Sequence, residues 1–245
     1  MKKLLASFGW ILLLLPALSF AGIRTTFSNI NSAWFETENR PVGPFSSVSS
    51  SGSFDVYIKM GQQESLRLEG SKDLISRIET VVENGDLKIR LKKNNHKSWR
   101  FGVNEKVRVY VTAKALKSVN MSGSGDMKVD GIIKGENFQS RLSGSGSIKV
   151  NVNVSNYLAA ISGSGELTAW GSAKNTDISV SGSGNFKGEK LQTSAANVKV
   201  SGSGDVSIHA DQSLNAAVSG SGDVYYAGNA RVNSKTSGSG NVKRL

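Results

Sequence analysis

Serine hydroxyls recur through the second half of this 245-residue chain at a spacing that would place them in one row. The tetrapeptide Ser-Gly-Ser-Gly begins at Ser122, Ser143, Ser162, Ser181, Ser201, Ser219 and Ser237, in steps of 21, 19, 19, 20, 18 and 18 residues. A row of hydroxyls can hydrogen-bond a glycan or another surface, although serine is also simply small, polar and at ease in turns. A serine triad in every repeat does not fit, because His96 and His209 are the only histidines. The residue after each tetrapeptide forms a second row: Asp126, Ser147, Glu166, Asn185, Asp205, Asp223 and Asn241. Calcium-binding β-rolls also join glycine turns to aspartate, but with a nonapeptide repeat and the aspartate one place later. Neighbouring Asp205 and Asp223 would hold a cation only weakly, and a solvated edge explains them as well. Sugar cleavage needs two opposed carboxylates or a calcium-anchored acidic cluster, whereas these acids are scattered along the repeats. No tetrapeptide continues into the Lys-Ser/Thr of a phosphate-binding loop. The expectation is therefore a chain with no catalytic residues, no metal site and no cofactor.

Charge points elsewhere. Lysine plus arginine number 30 against 19 aspartate plus glutamate, a net charge of +11 that favours anionic partners. The surplus is uneven, with 14 basic against 7 acidic residues from Lys59 to Lys117 and 12 against 9 from Ser118 to Leu245. Within the first region, Lys92, Lys93, Lys97 and Arg100 stand beside Trp99 and Phe101 in a stretch without strand periodicity. One reading is a solvated loop; the sharper one is a tip that binds anions and stacks on sugars, with anionic glycan, lipopolysaccharide or envelope surface as partner. No nucleic acid is expected.

The elements that must position these groups are strands. Val198, Val200, Gly202, Gly204, Val206 and Ile208 share one parity, so period-two alternation runs through the tetrapeptide without losing phase, with glycine inward and serine outward. Fourteen corner glycines follow: Gly123 and Gly125, Gly144 and Gly146, Gly163 and Gly165, Gly182 and Gly184, Gly202 and Gly204, Gly220 and Gly222, Gly238 and Gly240. Glycine suits a tight bend, since an inward Cβ would collide across a narrow core. Units of this length cannot bury an apolar face alone but can when stacked at about 4.8 Å. The fold class predicted is all-β, a right-handed single-stranded parallel β-helix, or β-solenoid, with Ser-Gly-Ser-Gly corners. A degenerate eighth copy lies at Ser51-Gly52-Ser53-Phe54.

Upstream, residues 1–21 read as a secretory signal: Lys2 and Lys3, an apolar run from Leu4 to Leu15 and a small-x-small site ending at Ala21. The expected product is exported to the periplasm or beyond, with no membrane-spanning segment in the mature chain. Cysteine is absent, which removes disulfides and thiol chemistry. Residues 22–44 read as a linker or N-terminal cap in which Trp34 and Phe35 would pack on the end of the stack. Residues 45–117 read as an irregular part and 118–245 as the regular repeats. In the irregular part, Ser71 to Ile78 predicts two helical turns and Asn84-Gly85 a hairpin.

Ser50-Ser51-Gly52-Ser53-Phe54-Asp55-Val56-Tyr57-Ile58, Leu66-Arg67-Leu68-Glu69-Gly70, Glu83-Asn84-Gly85-Asp86-Leu87 and the later repeats together resemble the bacterial head GIN domain, an autotransporter-adhesin family, from Phe45 to Leu245. The resemblance implies a pectin-lyase-like right-handed β-helix, a cell-envelope or extracellular location, and an adhesive role without established catalytic residues. The sequence departs from an autotransporter in showing neither a coiled-coil stalk nor a membrane barrel after the repeats. An envelope adhesin or binding module is the favoured reading. The alternatives are a structural solenoid that self-associates through its ends and, third, a carbohydrate-active enzyme.

Overall fold

The structure is a computed structural model that describes residues 36–92 and 106–245. In chain order its elements are β1 (Glu36–Arg40), β2 (Ser47–Gly52), β3 (Asp55–Met60), β4 (Ser65–Gly70), α1 (Lys72–Arg77), β5 (Ile78–Glu83), β6 (Asp86–Leu91), β7 (Arg108–Ala113) and β8 (Ser118–Gly123). They continue as β9 (Asp126–Gly144), β10 (Ser147–Gly163), β11 (Glu166–Gly182), β12 (Asn185–Gly202), β13 (Val206–Gly220), β14 (Val224–Ala227), β15 (Arg231–Gly238) and β16 (Val242–Arg244). The result is a parallel β-solenoid of about seven turns.

From β9 to β12 each strand is nearly a whole turn, pairing in parallel with the turns on either side, so like residues stack on like positions. Leu142, Ile161, Val180, Val200 and Val218 form one such column, and Ile148, Leu167, Phe186, Val206 and Val224 another. All ten are at most 3 % exposed, and each buried side chain of this size contributes about 1.5–3 kcal/mol. Aromatic and hydroxyl pairs fill the remaining interior. Phe138 and Tyr157 stack at 5.8 Å, the Tyr157 hydroxyl meets Ser140 at 3.2 Å, and Thr176 meets Thr193 at 2.9 Å.

The tetrapeptide is a corner, and its serines point outward as expected. The reason for glycine differs in part from the expectation. A Cβ on Gly202 would strike the carbonyl oxygen of Gly182 one turn before it, and the positive φ of +126° is itself hostile to other residues. Gly204 would strike Gly184 in the same way, and throughout the seven corners the added Cβ would lie within 2.6 Å of the oxygen one turn before. The closest approach runs along the stack, from corner to corner; the second glycine meets the core as well, its Cβ reaching Val180 at 2.9 Å from Gly204 and Leu142 at 2.7 Å from Gly165. The second glycine of each pair is buried, while the first is half-buried or exposed.

The end nearest the N-terminus is built differently. Strands β6 and β7 together form a turn, β2 and β3 form the next, and β8 with the start of β9 the third. The chain thus lays down β2 and β3 first, leaves to make β4, α1 and β5, and returns to place β6 and β7 outside them. Antiparallel β5 and β4 cover the outer edges of β6 and β7, and β1 pairs with β4. This cap satisfies backbone groups that an open edge would leave unpaired. The helix predicted from Ser71 is α1, although no Ser71 side-chain bond caps it. Arg40 closes the other side of the cap by donating to the carbonyls of Ile75 and Ile78 at 3.0 and 2.8 Å, with Glu38 at 2.9 Å. Asn84 and Gly85, with φ of 53° and 75°, make the predicted hairpin turn between β5 and β6.

Candidate functional site

The row of residues after each corner has a structural task. At Ser147, Glu166 and Asn185 the backbone N–H donates to the carbonyl of Gly125, Gly146 and Gly165 one turn before, whereas at the other four corners a side chain of the neighbouring turn accepts it. Asp205 N–H donates to Asn185 Oδ1 at 3.0 Å, Asp223 N–H to Asp205 Oδ1 at 2.8 Å and Asn241 N–H to Asp223 Oδ1 at 2.8 Å. Asp126 N–H reaches buried Asp55 in the same way at 3.2 Å. The Asn241 N–H, with the Tyr225 hydroxyl next in weight, holds the Asp223 carboxyl below its ordinary pKa. These oxygens are directed along the stack, and no metal-binding group of three His, Cys, Asp or Glu occurs among the described residues.

The serine rows stand on the surface, and among the described residues only Ser53 and Ser124 bond to each other within them, at 3.1 Å. Shallow grooves run along this face between Ser179, Lys199 and Lys235 on one side and Ser181, Ser201 and Ser237 on the other.

Of the predicted binding segment, Lys92 is described and exposed; Lys93, Lys97, Trp99, Arg100 and Phe101 lie outside the described residues. Its two anchors are informative. Lys92 N–H donates to the Arg77 carbonyl at 2.9 Å, and the Val107 carbonyl accepts the Asp55 N–H at 3.1 Å. Because β6 pairs with β2 and β7 with β3, the described ends of this connection, Lys92 and Val107, stand where a four-residue corner begins and ends in the other turns. Lys106 lies 3.5 Å from Asp55 at that corner.

Just past this anchor the register assembles side chains that sequence reading did not join. On the outer face Arg67 lies beside Tyr110, Tyr110 beside Tyr57 and Tyr57 beside Lys128. The tyrosine rings stack with centroids 5.4 Å apart, and the Arg67 guanidinium sits 4.5 Å from the Tyr110 centroid. Glu69 holds Arg67 at 2.9 Å; burial, then the Glu69 hydrogen bond, raises the Tyr110 pKa. A second row, Ser65, Thr112, Lys59 and Asp130, runs alongside, and the Ser65 hydroxyl donates to Thr112 at 2.9 Å. Between the two rows lies an open groove of about 530 Å³. The available signal was the alternation that turns Tyr57, Arg67 and Tyr110 outward within their own segments; what was missing was which strands are neighbours.

The comparisons agree with this architecture. A family described as "Putative auto-transporter adhesin, head GIN domain" matches residues 44–230. No curated protein matches the chain. Among solved structures, one named a putative adhesin from Bacteroides fragilis superposes with a TM-score of 0.77 at 18 % identity, covering 87 % of this chain and 98 % of its own. Another, named a putative lipid binding protein from Parabacteroides distasonis, gives 0.71 at 23 % identity over 87 % and 98 %. A third, named a putative adhesin from Parabacteroides merdae, gives 0.70 at 20 % over 87 % and 97 %. At these identities the likeness is one of fold. With the family match spanning most of its length, the chain belongs to the head GIN domain family of adhesin type.

Proposed function

We propose that the mature chain is a non-enzymatic binding module, exported to the cell envelope, that holds anionic glycan or lipopolysaccharide at the capped end of its solenoid. The observation that carries this reading is the placement of the Lys92 to Val107 connection: its described ends stand where a corner begins and ends, and it returns to the stack two residues before the outward Tyr110 of the Arg67–Tyr110–Tyr57–Lys128 row. The segment whose sequence is basic and aromatic is thus anchored, through Lys92 and Val107, at the end that carries the cationic, aromatic strand face. Family membership supports an adhesive role and an envelope or exported setting. Export rests on the leader read from residues 1–21. The alternative of a self-associating solenoid has less support, because antiparallel β4 and β5 occupy one end of the stack.

Several exposed charges acting on one polymer add up, although each is individually weak and screened by salt. Binding to lipopolysaccharide or an acidic envelope glycan should therefore fall as salt rises past about 0.1 M, where the Debye length is near 10 Å. The deciding comparison sets Lys92→Gln, Lys93→Gln, Lys97→Gln and Arg100→Gln together against Ser201→Ala, Ser203→Ala, Ser219→Ala and Ser221→Ala together. Weaker, less salt-dependent binding in the first and unchanged binding in the second is expected. Loss of binding in the serine variant alone would move the ligand to the hydroxyl rows.

A further inference from the structure

The groove between the two outer rows at the capped end has a composition that selects among anionic ligands. One wall carries Arg67, the two stacked tyrosines and Lys128; the other carries Ser65, Thr112, Lys59 and Asp130. Its floor is backbone, because Ile58 and Val111 turn their side chains into the core and are 1 % and 2 % exposed. Nothing in the groove offers apolar depth to an acyl chain. Tyr57, by contrast, is 38 % exposed and presents its ring to the opening.

Charge adds direction. Arg67 and Asp130 sit at opposite ends of the groove, and Lys59 and Lys128 have no carboxylate within ion-pair distance among the described residues. The Lys128 position continues onto the next turn as Lys149, likewise without an ion-pair partner among the described residues. Two cations thus stand about one turn apart, roughly 4.8 Å, along a line parallel to the stack, before the column continues as Thr168. A ligand that matches is slender, extended, hydroxyl-bearing and carries more than one negative charge. Its rings would place C–H faces against tyrosine, hydroxyls against Ser65, Thr112 and Asp130, and carboxylates against Lys59 and Lys128.

We infer that this groove is a binding site for a carboxylated polysaccharide of the uronate class, lying along the stack axis between the Tyr57 and Lys59 rows. The inference rests on the reading of the chain as a binder of anionic surface material, and assigns that ligand a different contact from the Lys92 to Phe101 segment.

The test titrates the purified mature protein with oligogalacturonate, with the same oligosaccharide reduced at its carboxyls, and with vesicles of anionic phospholipid. Wild type should bind oligogalacturonate, and the reduced oligosaccharide and the vesicles should bind at least about tenfold more weakly. The double variant Tyr57→Ser, Lys128→Gln should lose about tenfold in affinity at unchanged melting temperature, whereas Lys174→Gln, which removes an exposed cation elsewhere, should change it by less than about threefold. If the double variant folds poorly, Lys59→Gln with Lys128→Gln keeps both rings and tests the same groove. Full binding by these variants together with loss in the four-charge segment variant would overturn the groove and leave the anionic-binding reading standing. Preference for vesicles over oligogalacturonate would overturn the ligand class. Failure of wild type to bind oligogalacturonate would overturn the groove alone; failure to bind lipopolysaccharide as well would overturn the broader reading.

Discussion

The regular turns from β9 to β13 and the capped end from β1 to β7 solve one problem, the burial of a narrow parallel core, with opposite means. In the regular turns most residues have a counterpart one turn away, the register shifting only where turns differ in length, as between Thr168 and Gly171, and the stack closes because glycine meets glycine at each corner. Such repetition tolerates little: the backbone of one corner occupies the space a side chain of the next would need. At the capped end the strands are laid down out of order, three pairings are antiparallel, and the ends of the Lys92 to Val107 connection stand where a corner would. There the core is still buried, with Val56, Leu68, Ile89 and Val109 at most 1 % exposed, but the outer face is free to vary. The repeats supply a uniform stack; the irregular end supplies the basic and aromatic surface that we propose meets the ligand.

Substitution should separate the two regimes most sharply at glycine. Gly202→Val sets a branched Cβ against the Gly182 carbonyl at positive φ, and is expected to cost at least about 3 kcal/mol. Gly135→Ala, whose Cβ would meet nothing within 4 Å, should stay within about 0.5 kcal/mol of wild type. Both are measured by denaturant unfolding, and equal midpoints for the two would remove the corner-to-corner contact as the reason for glycine.

A smaller effect is expected at the row that follows the corners. Asp205→Ala removes the acceptor for the Asp223 N–H and should destabilise by about 1 kcal/mol, whereas Asp205→Asn keeps an acceptor, as Asn185 does one turn earlier, and should recover most of the loss. No recovery by asparagine would mean that charge, and not the hydrogen bond, holds this position.

Smaller again is the pH response of the last corner. The carboxyl of Asp223 is held below its ordinary 3.8 by the Asn241 N–H first and the Tyr225 hydroxyl second. Since the folded value is the lower one, its stabilisation is complete above pH 3.8 and is lost as pH falls below that value toward the folded pKa. Amide exchange at Asn241, corrected for intrinsic rate, should quicken below pH 3.8 and be flat above it. The same profile in Asp223→Asn would assign the change to other groups.

Much of this was legible in the residues. The seven tetrapeptides fix the number and place of the corners, and the unbroken parity of Val198 to Ile208 tells which side chains are inside. The Asn84-Gly85 turn needs only local chemistry. What stayed hidden depends on neighbours far apart in sequence. That β2 and β3 lie between β6–β7 and β8–β9 cannot be read from local alternation, since each strand alone shows the same pattern wherever it is placed. The groove stayed hidden for the same reason: Arg67, Tyr110, Tyr57 and Lys128 come from four strands. Only part of the glycine contact was foreseen, because parity reports that a residue faces inward but not that the nearest obstacle is the backbone of the turn behind it. A further bend marked by Gly131, Gly171 and Gly228, at φ of 102°, 104° and 93°, was overlooked because it lacks the flanking serines that made the corners visible.

The claim that binding belongs to the irregular end is tested most directly by hydrogen exchange of the mature protein with and without saturating oligogalacturonate. Protection is expected in the segments carrying β3, β4 and β7, around Tyr57, Arg67 and Tyr110, with exchange from Val198 to Val224 unchanged. Protection confined to the corners from Ser201 to Ser221, with none in β3, β4 or β7, would contradict it and place the ligand on the serine rows.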